Sequence, residues 1–168
     1  MAKKVIDLGH RHLALVSAET ILNDRAKARQ LGLEDAMVAA NLCAKTLHIV
    51  KTTYGIEEGA AAFEQVMKAA PQTTAVFCGN DVLAVGALRR ARELGFKIPQ
   101  DVSIIGFDDI ELAEIAYPAL TTVHVPHREM GRRAGEALIR LLNEGTQIEA
   151  VELEANIVFR DTLAPARN

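Results

Sequence analysis

The stretch from Thr74 to Asp109 constrains the fold most. Thr74 to Cys78 is a short apolar run. Asn80 or Asp81 can cap the helix that follows, where Ala84, Val85, Ala87, Leu88, Ala91 and Leu94 recur at helical spacing. Gly95 and then Pro99 stop it. Val102 to Phe107 is a second apolar run, continuous rather than alternating, as in a strand buried on both faces of a parallel sheet. The unit is strand, helix, strand with a right-handed crossover. Its polar residues Asn80, Asp81, Asp108 and Asp109 stand just past strand carboxyl ends, the edge where open α/β sheets bind ligands.

The pattern repeats upstream. Ala2 to Leu8 reads as the last turns of a helix closed by Gly9. His12 to Ser17 is a strand, Asn23 or Asp24 caps a helix to about Ala40, Thr46 to Val50 is a strand, and Ile56 to Ala70 is a helix ending before Pro71. This alternation predicts an α/β fold, a doubly wound parallel sheet in a three-layer αβα arrangement. After Phe107 the character changes. A loop with a short helical turn runs to Tyr117, and Thr121 to Val125 is an extended crossing segment. The helix His127 to Asn143 carries an apolar stripe of Met130, Ala134, Ala137, Leu138, Leu141 and Leu142. Val151 to Leu153 and Ile157 to Arg160 read as two short strands, and the tail Pro165 to Asn168 as loose.

A chain of 168 residues suits one packed domain. Lys and Arg number 19 against 22 Asp and Glu, a net charge of −3, which gives no electrostatic footprint for nucleic acid. No apolar run approaches the roughly 20 residues of a membrane span, and no apolar secretory segment follows Lys3 and Lys4. Cys43 and Cys78 are too few for a disulfide scaffold or a zinc site, and the five histidines show no metal-ligand spacing. The expectation is a cytoplasmic protein with no membrane partner, no metal and no cofactor.

Leu8-Gly9-His10-Arg11, Arg25 to Gly32, Gly79-Asn80-Asp81, Gly95-Phe96-Lys97-Ile98-Pro99, Asp101 to Asp109 and Pro118-Ala119-Leu120-Thr121-Thr122-Val123 form an ordered series. This series resembles the effector-binding core of the lactose-repressor and galactose-repressor (LacI/GalR) family of bacterial transcription regulators. The resemblance covers almost the whole chain. It implies two periplasmic-binding-protein-like lobes with a sugar or other small metabolite between them, and this chain looks like the second lobe alone, without helix-turn-helix or hinge helix. Residues 1–120 would be the C-terminal lobe. Residues 121–145 would be a crossing segment and helix belonging to the first lobe, and residues 146–168 the return strands and tail. The resemblance places Arg29 at the family's ligand-facing arginine, Tyr54 at a ring-stacking position, and Asn80 and Asp108 at the polar pair that takes ligand hydroxyls. Asp81 and Asp109 stand beside them as a possible supporting layer. It implies a small-molecule effector as partner, with DNA reached only through a helix-turn-helix absent from this chain.

The chemistry agrees with that set. A sugar offers neighbouring hydroxyls that a carboxylate, an amide and a guanidinium can satisfy, while an aromatic face covers its C–H side. Each residue also has an ordinary structural account: Asn80 and Asp81 as a helix cap, Asp109 as a loop cap, Arg29 as a solvated ion-pair partner, Tyr54 as a packed loop aromatic. A fragment of a periplasmic solute receptor is the competing binder. The competing enzyme would hold Mg²⁺ on paired acids, but the sequence has no glycine-rich phosphate loop and no nucleophile elbow, so no catalytic residue is assigned. The apolar stripe of the helix His127 to Asn143 needs cover, either by folding back or by another copy, as a homodimer or exchanged oligomer.

Overall fold

The computed structural model describes residues 1–145 and 149–167. The elements are α1 (Ala2–Asp7), β1 (Leu13–Ser17), α2 (Asp24–Ala39), β2 (His48–Lys51), α3 (Ile56–Ala69), β3 (Ala75–Cys78), α4 (Asp81–Glu93), β4 (Ser103–Ile105), α5 (Glu111–Ile115), β5 (Thr122–His124), α6 (His127–Glu144) and β6 (Asn156–Val158). Four strands form a parallel sheet in the order β2-β1-β3-β4.

Alternation along each strand divides the core into two layers. Leu13, Leu15, Ala75, Phe77 and Ile105 pack against Val5 and Ile6 of α1 and Leu33 and Met37 of α2. Ala14, Val16, Val76, Cys78 and Ile104 pack on the other face against Phe63 and Val66 of α3 and Leu83, Ala87 and Ala91 of α4. This is the predicted three-layer αβα arrangement, and it explains why the strands read as unbroken apolar runs. Helices α3 and α4 approach closely because Gly59 and Gly86 face each other's backbone. A Cβ on Gly86 would collide with the Ile56 carbonyl, and one on Gly59 with the Leu83 carbonyl.

Past Ile105 the chain pairs with a new neighbour. Gly106 N–H donates to Thr121 O and Asp108 N–H to Val123 O, both at 2.9 Å, so β5 lies parallel to the continuation of β4. Antiparallel β6 adds to the far side of β5. Val151 to Leu153 is not the strand that the sequence suggests. Those residues run beside α6, where Val151 and Leu153 share a hollow with Met130, Ala134 and Ala137, and they pair with no strand among the described residues. The tail is not loose as far as Ala166. Ala166 N–H donates to Leu8 O at 2.9 Å, and Ala164 N–H to Ser103 Oγ at 3.2 Å. Helix α6 does not fold back to bury its stripe: none of its residues is buried, and Leu138, Ile139 and Leu142 are exposed. No helix among the described residues is long and apolar enough to cross a membrane.

His10 ties the tail to the sheet. Its ring is buried, with Nε2 2.9 Å from Ala164 O and Nδ1 3.0 Å from Thr74 Oγ1. A carbonyl only accepts, so Nε2 carries the proton and Nδ1 accepts from the hydroxyl. Burial pushes the imidazole below its ordinary value. The folded chain therefore takes up this proton less readily than the unfolded one. The stability this histidine contributes is complete above the unfolded value of about 6.5 and declines as the pH falls through it. Urea midpoints measured from about pH 7.5 to about pH 5 should fall, and His10→Gln, whose amide can still donate to Ala164 O, should flatten that slope.

Candidate functional site

The carboxyl edge of the sheet carries a hollow of about 500 Å³. Arg29, Tyr54, Asn80 and Asp108, four residues from four separate segments, line it together. Three helices begin on its wall. Asn23, Asn80 and Pro126, the residues that precede the first turns of α2, α4 and α6, all face it. Asn23 Oδ1 accepts from Ala26 N–H at 3.0 Å, and Asn80 Oδ1 from Leu83 N–H at 2.9 Å. So Asn23 and Asn80, not Asp24 and Asp81, are the caps. Capping occupies the Asn80 oxygen. Among the described residues no protein acceptor takes its Nδ2, which is left to donate into the hollow.

Asp108 sits at the centre of the charge. Arg29 Nη2 and His127 Nε2 each lie 3.6 Å from the same oxygen, Oδ1. That separation is an ion-pair distance but longer than a hydrogen bond, so these groups keep hydrogen-bonding capacity for a ligand oxygen that bridges them from the side. The Arg29 guanidinium also lies 4.1 Å from the centroid of the Phe107 ring, which fixes its plane by a cation–π contact. Its side chain keeps only 22% of its exposure, and that of Asp108 24%. Tyr54 also lines the hollow and remains 44% exposed.

Asp81 and Asp109 do not line this hollow; they hold Asp108 in position. Asp81 is fully buried. Its Oδ1 accepts from Thr122 Oγ1 at 2.6 Å and its Oδ2 from Ile110 N–H at 2.9 Å. Burial raises its carboxyl above the ordinary range, and these donors pull it partly back. Gly106 must be glycine because a Cβ there would strike Asp81 Oδ1. Asp109 is clamped between Arg160 Nη2 at 2.8 Å and His124 Nδ1 at 3.0 Å. Asp108 and Asp109 adopt φ of +109° and +58°, a region that costs a non-glycine residue roughly 1–3 kcal/mol. The clamps on either side sustain that conformation.

His127, Phe107 and Arg25 also belong to the wall, and the residue pattern alone did not mark them as such. The available signal was the Pro126-His127 boundary, where a third helix starts facing the same way as the other two. Among the described residues no group of three or more His, Cys, Asp or Glu could hold a metal. Cys78 lies buried in β3, where burial raises its thiol far above the ordinary value, and it takes no part in the site.

Residues 2–163 match the periplasmic binding protein-like domain. The chain belongs to that family. It is 34% identical over 161 residues to the HTH-type transcriptional repressor PurR of Klebsiella pneumoniae, covering 95% of this chain and 47% of the repressor. It is 35% identical over 162 residues to the PurR of Vibrio vulnificus, covering 96% and 48%. The chain thus spans about half the length of the curated relatives it matches. A LacI family transcriptional regulator from Enterococcus faecium, solved with bound ribose, superposes with a TM-score of 0.92 at 29% identity, over 99% of this chain and 61% of that one. The transcriptional regulator CelR in complex with cellobiose gives 0.83 at 27%, over 96% and 49%.

Replacing Asp81 with alanine leaves the Ile110 N–H and the Thr122 hydroxyl buried without acceptors. This should cost about 3 kcal/mol, read as a lower urea midpoint at unchanged slope.

Proposed function

We propose that this chain is the effector-sensing lobe of a LacI/GalR-type transcription regulator and that a sugar or related small metabolite binds at Arg29, Tyr54, Asn80 and Asp108. One observation carries the reading: side chains from four segments converge on one hollow at the ligand edge of the sheet. The PurR relatives and the sugar-bound neighbours point the same way. In this reading residues 1–120 and 146–168 belong to this lobe. Residues 121–145 form the crossing, so a second lobe would close over the hollow along α6. Ligand held between two such walls shifts an opening and closing equilibrium, and that equilibrium would set the spacing of helix-turn-helix heads elsewhere in the protein. The role is binding in the cytoplasm, not catalysis.

The apolar stripe of α6 is the natural contact for a second copy when no other lobe covers it. Leu142 is 75% exposed and Leu138 52%, and such a surface is normally covered. Light scattering should therefore find a dimer or larger, and replacing Leu138 and Leu142 together with glutamate should return the chain to a monomer.

A single wall supplies only part of the contacts. Calorimetry of this chain with ribose or cellobiose should give a dissociation constant of roughly millimolar order or weaker. Asp108→Ala should abolish the remaining heat. Submicromolar one-to-one binding by a monomer would refute the half-site reading.

A further inference from the structure

We propose that the ligand of this hollow carries an acid group, a carboxylate or a phosphate, and that Arg25 with Arg29 and His127 receives it. This rests on the sensing role proposed above and narrows it from sugars in general to acidic ones.

The charge on the wall is unbalanced. Its charged lining residues are Arg25, Arg29 and Asp108, and the His127 imidazole lies beside them. Asp108 answers one of them and is already shared between Arg29 and His127 at 3.6 Å each. Arg25 is exposed on the rim, and no carboxylate among the described residues pairs with it. The carboxylates nearest in the chain do not offset the excess. Asp24, Glu152 and Glu154 are not among the residues that line the hollow, Asp109 is held by Arg160 and His124, and Glu129 by Arg132 and Arg133.

Backbone charge adds to the same sign. The positive ends of α2, α4 and α6, helices of 16, 13 and 18 residues, meet at this hollow. Asparagines cap the first two, but no side chain caps α6. Arg25 stands in the first turn of α2, where a cation is repelled by the helix it sits on. A cation set against its own helix at a binding edge is offset by an anionic partner from outside the fold. A neutral sugar would leave the Arg25 guanidinium without an anion as the walls close and shed water, which is costly. An acid group satisfies it.

Chemical-shift titration of the full chain tests this with D-ribose, D-ribonate, D-ribose 5-phosphate and inorganic phosphate. At least one of the two acids should bind about tenfold more tightly than ribose and weaken with added salt. Gain by ribonate alone assigns a carboxylate, gain by the phosphate ester alone assigns a phosphate, and gain by both assigns charge irrespective of geometry. Arg25→Gln should erase most of the preference without lowering the melting temperature. The proposal is overturned if ribose binds as well as both acids, if Arg25→Gln keeps the preference, or if inorganic phosphate binds as tightly as the sugar acids. Ribose binding without a gain from charge removes this proposal only. No shift with any of the four at concentrations well above millimolar removes the sensing role as well.

Discussion

The buried carboxylate of Asp81 joins three parts of the chain. Its own residue opens α4, its Oδ2 fixes the backbone at Ile110, and its Oδ1 takes the hydroxyl of Thr122 on β5. The Asp81 N–H in turn donates to the Phe107 carbonyl at 2.9 Å. A charge in such a place is unfavourable unless every oxygen is satisfied, and here the satisfaction is what registers β5 beside β4. The left-handed turn at Asp108 and Asp109 follows from it. With both flanks pinned, the chain has no relaxed path between Phe107 and Ile110, and Asp108 is delivered over the hollow in a conformation it would not choose alone.

Rigidity beneath the site contrasts with looseness within it. Asp109 and Asp81 are held by hydrogen bonds of 2.6–3.0 Å. Arg29 and His127 stand off from Asp108 by 3.6 Å. Such a division suits a sensor. The frame holds the geometry while the contact atoms keep unspent hydrogen-bonding capacity for a ligand.

Much of this was legible in the residues, for identifiable reasons. Ala75-Val76-Phe77-Cys78 has a single plausible use, a strand covered on both faces, and the glycines and prolines after it fix where the helix stops. Asn80 and Asp108 could be placed on one edge because each follows a strand in a sheet whose strands all point one way, whereas Arg29 and Tyr54 join them only through the family resemblance. Three features were out of reach. Val151 to Leu153 has strand-like residues, but whether it pairs depends on which edge is free, a fact of tertiary packing. The docked tail depends on His10 reaching a carbonyl 154 positions away. The Pro126-His127 boundary marks where a helix starts, but that this start faces the hollow depends on the direction in which the chain turns there, which is set by tertiary packing.

The docking of the tail brings the two ends of the chain together. Ala166 bonds to Leu8 directly, and only the short α1 separates Leu8 from Met1, about 9 Å of helix. A short peptide could splice the ends into a ring without disturbing the sheet, and a circularly permuted gene, cut at an exposed loop such as the one after Ala39, would keep every strand neighbour it has now.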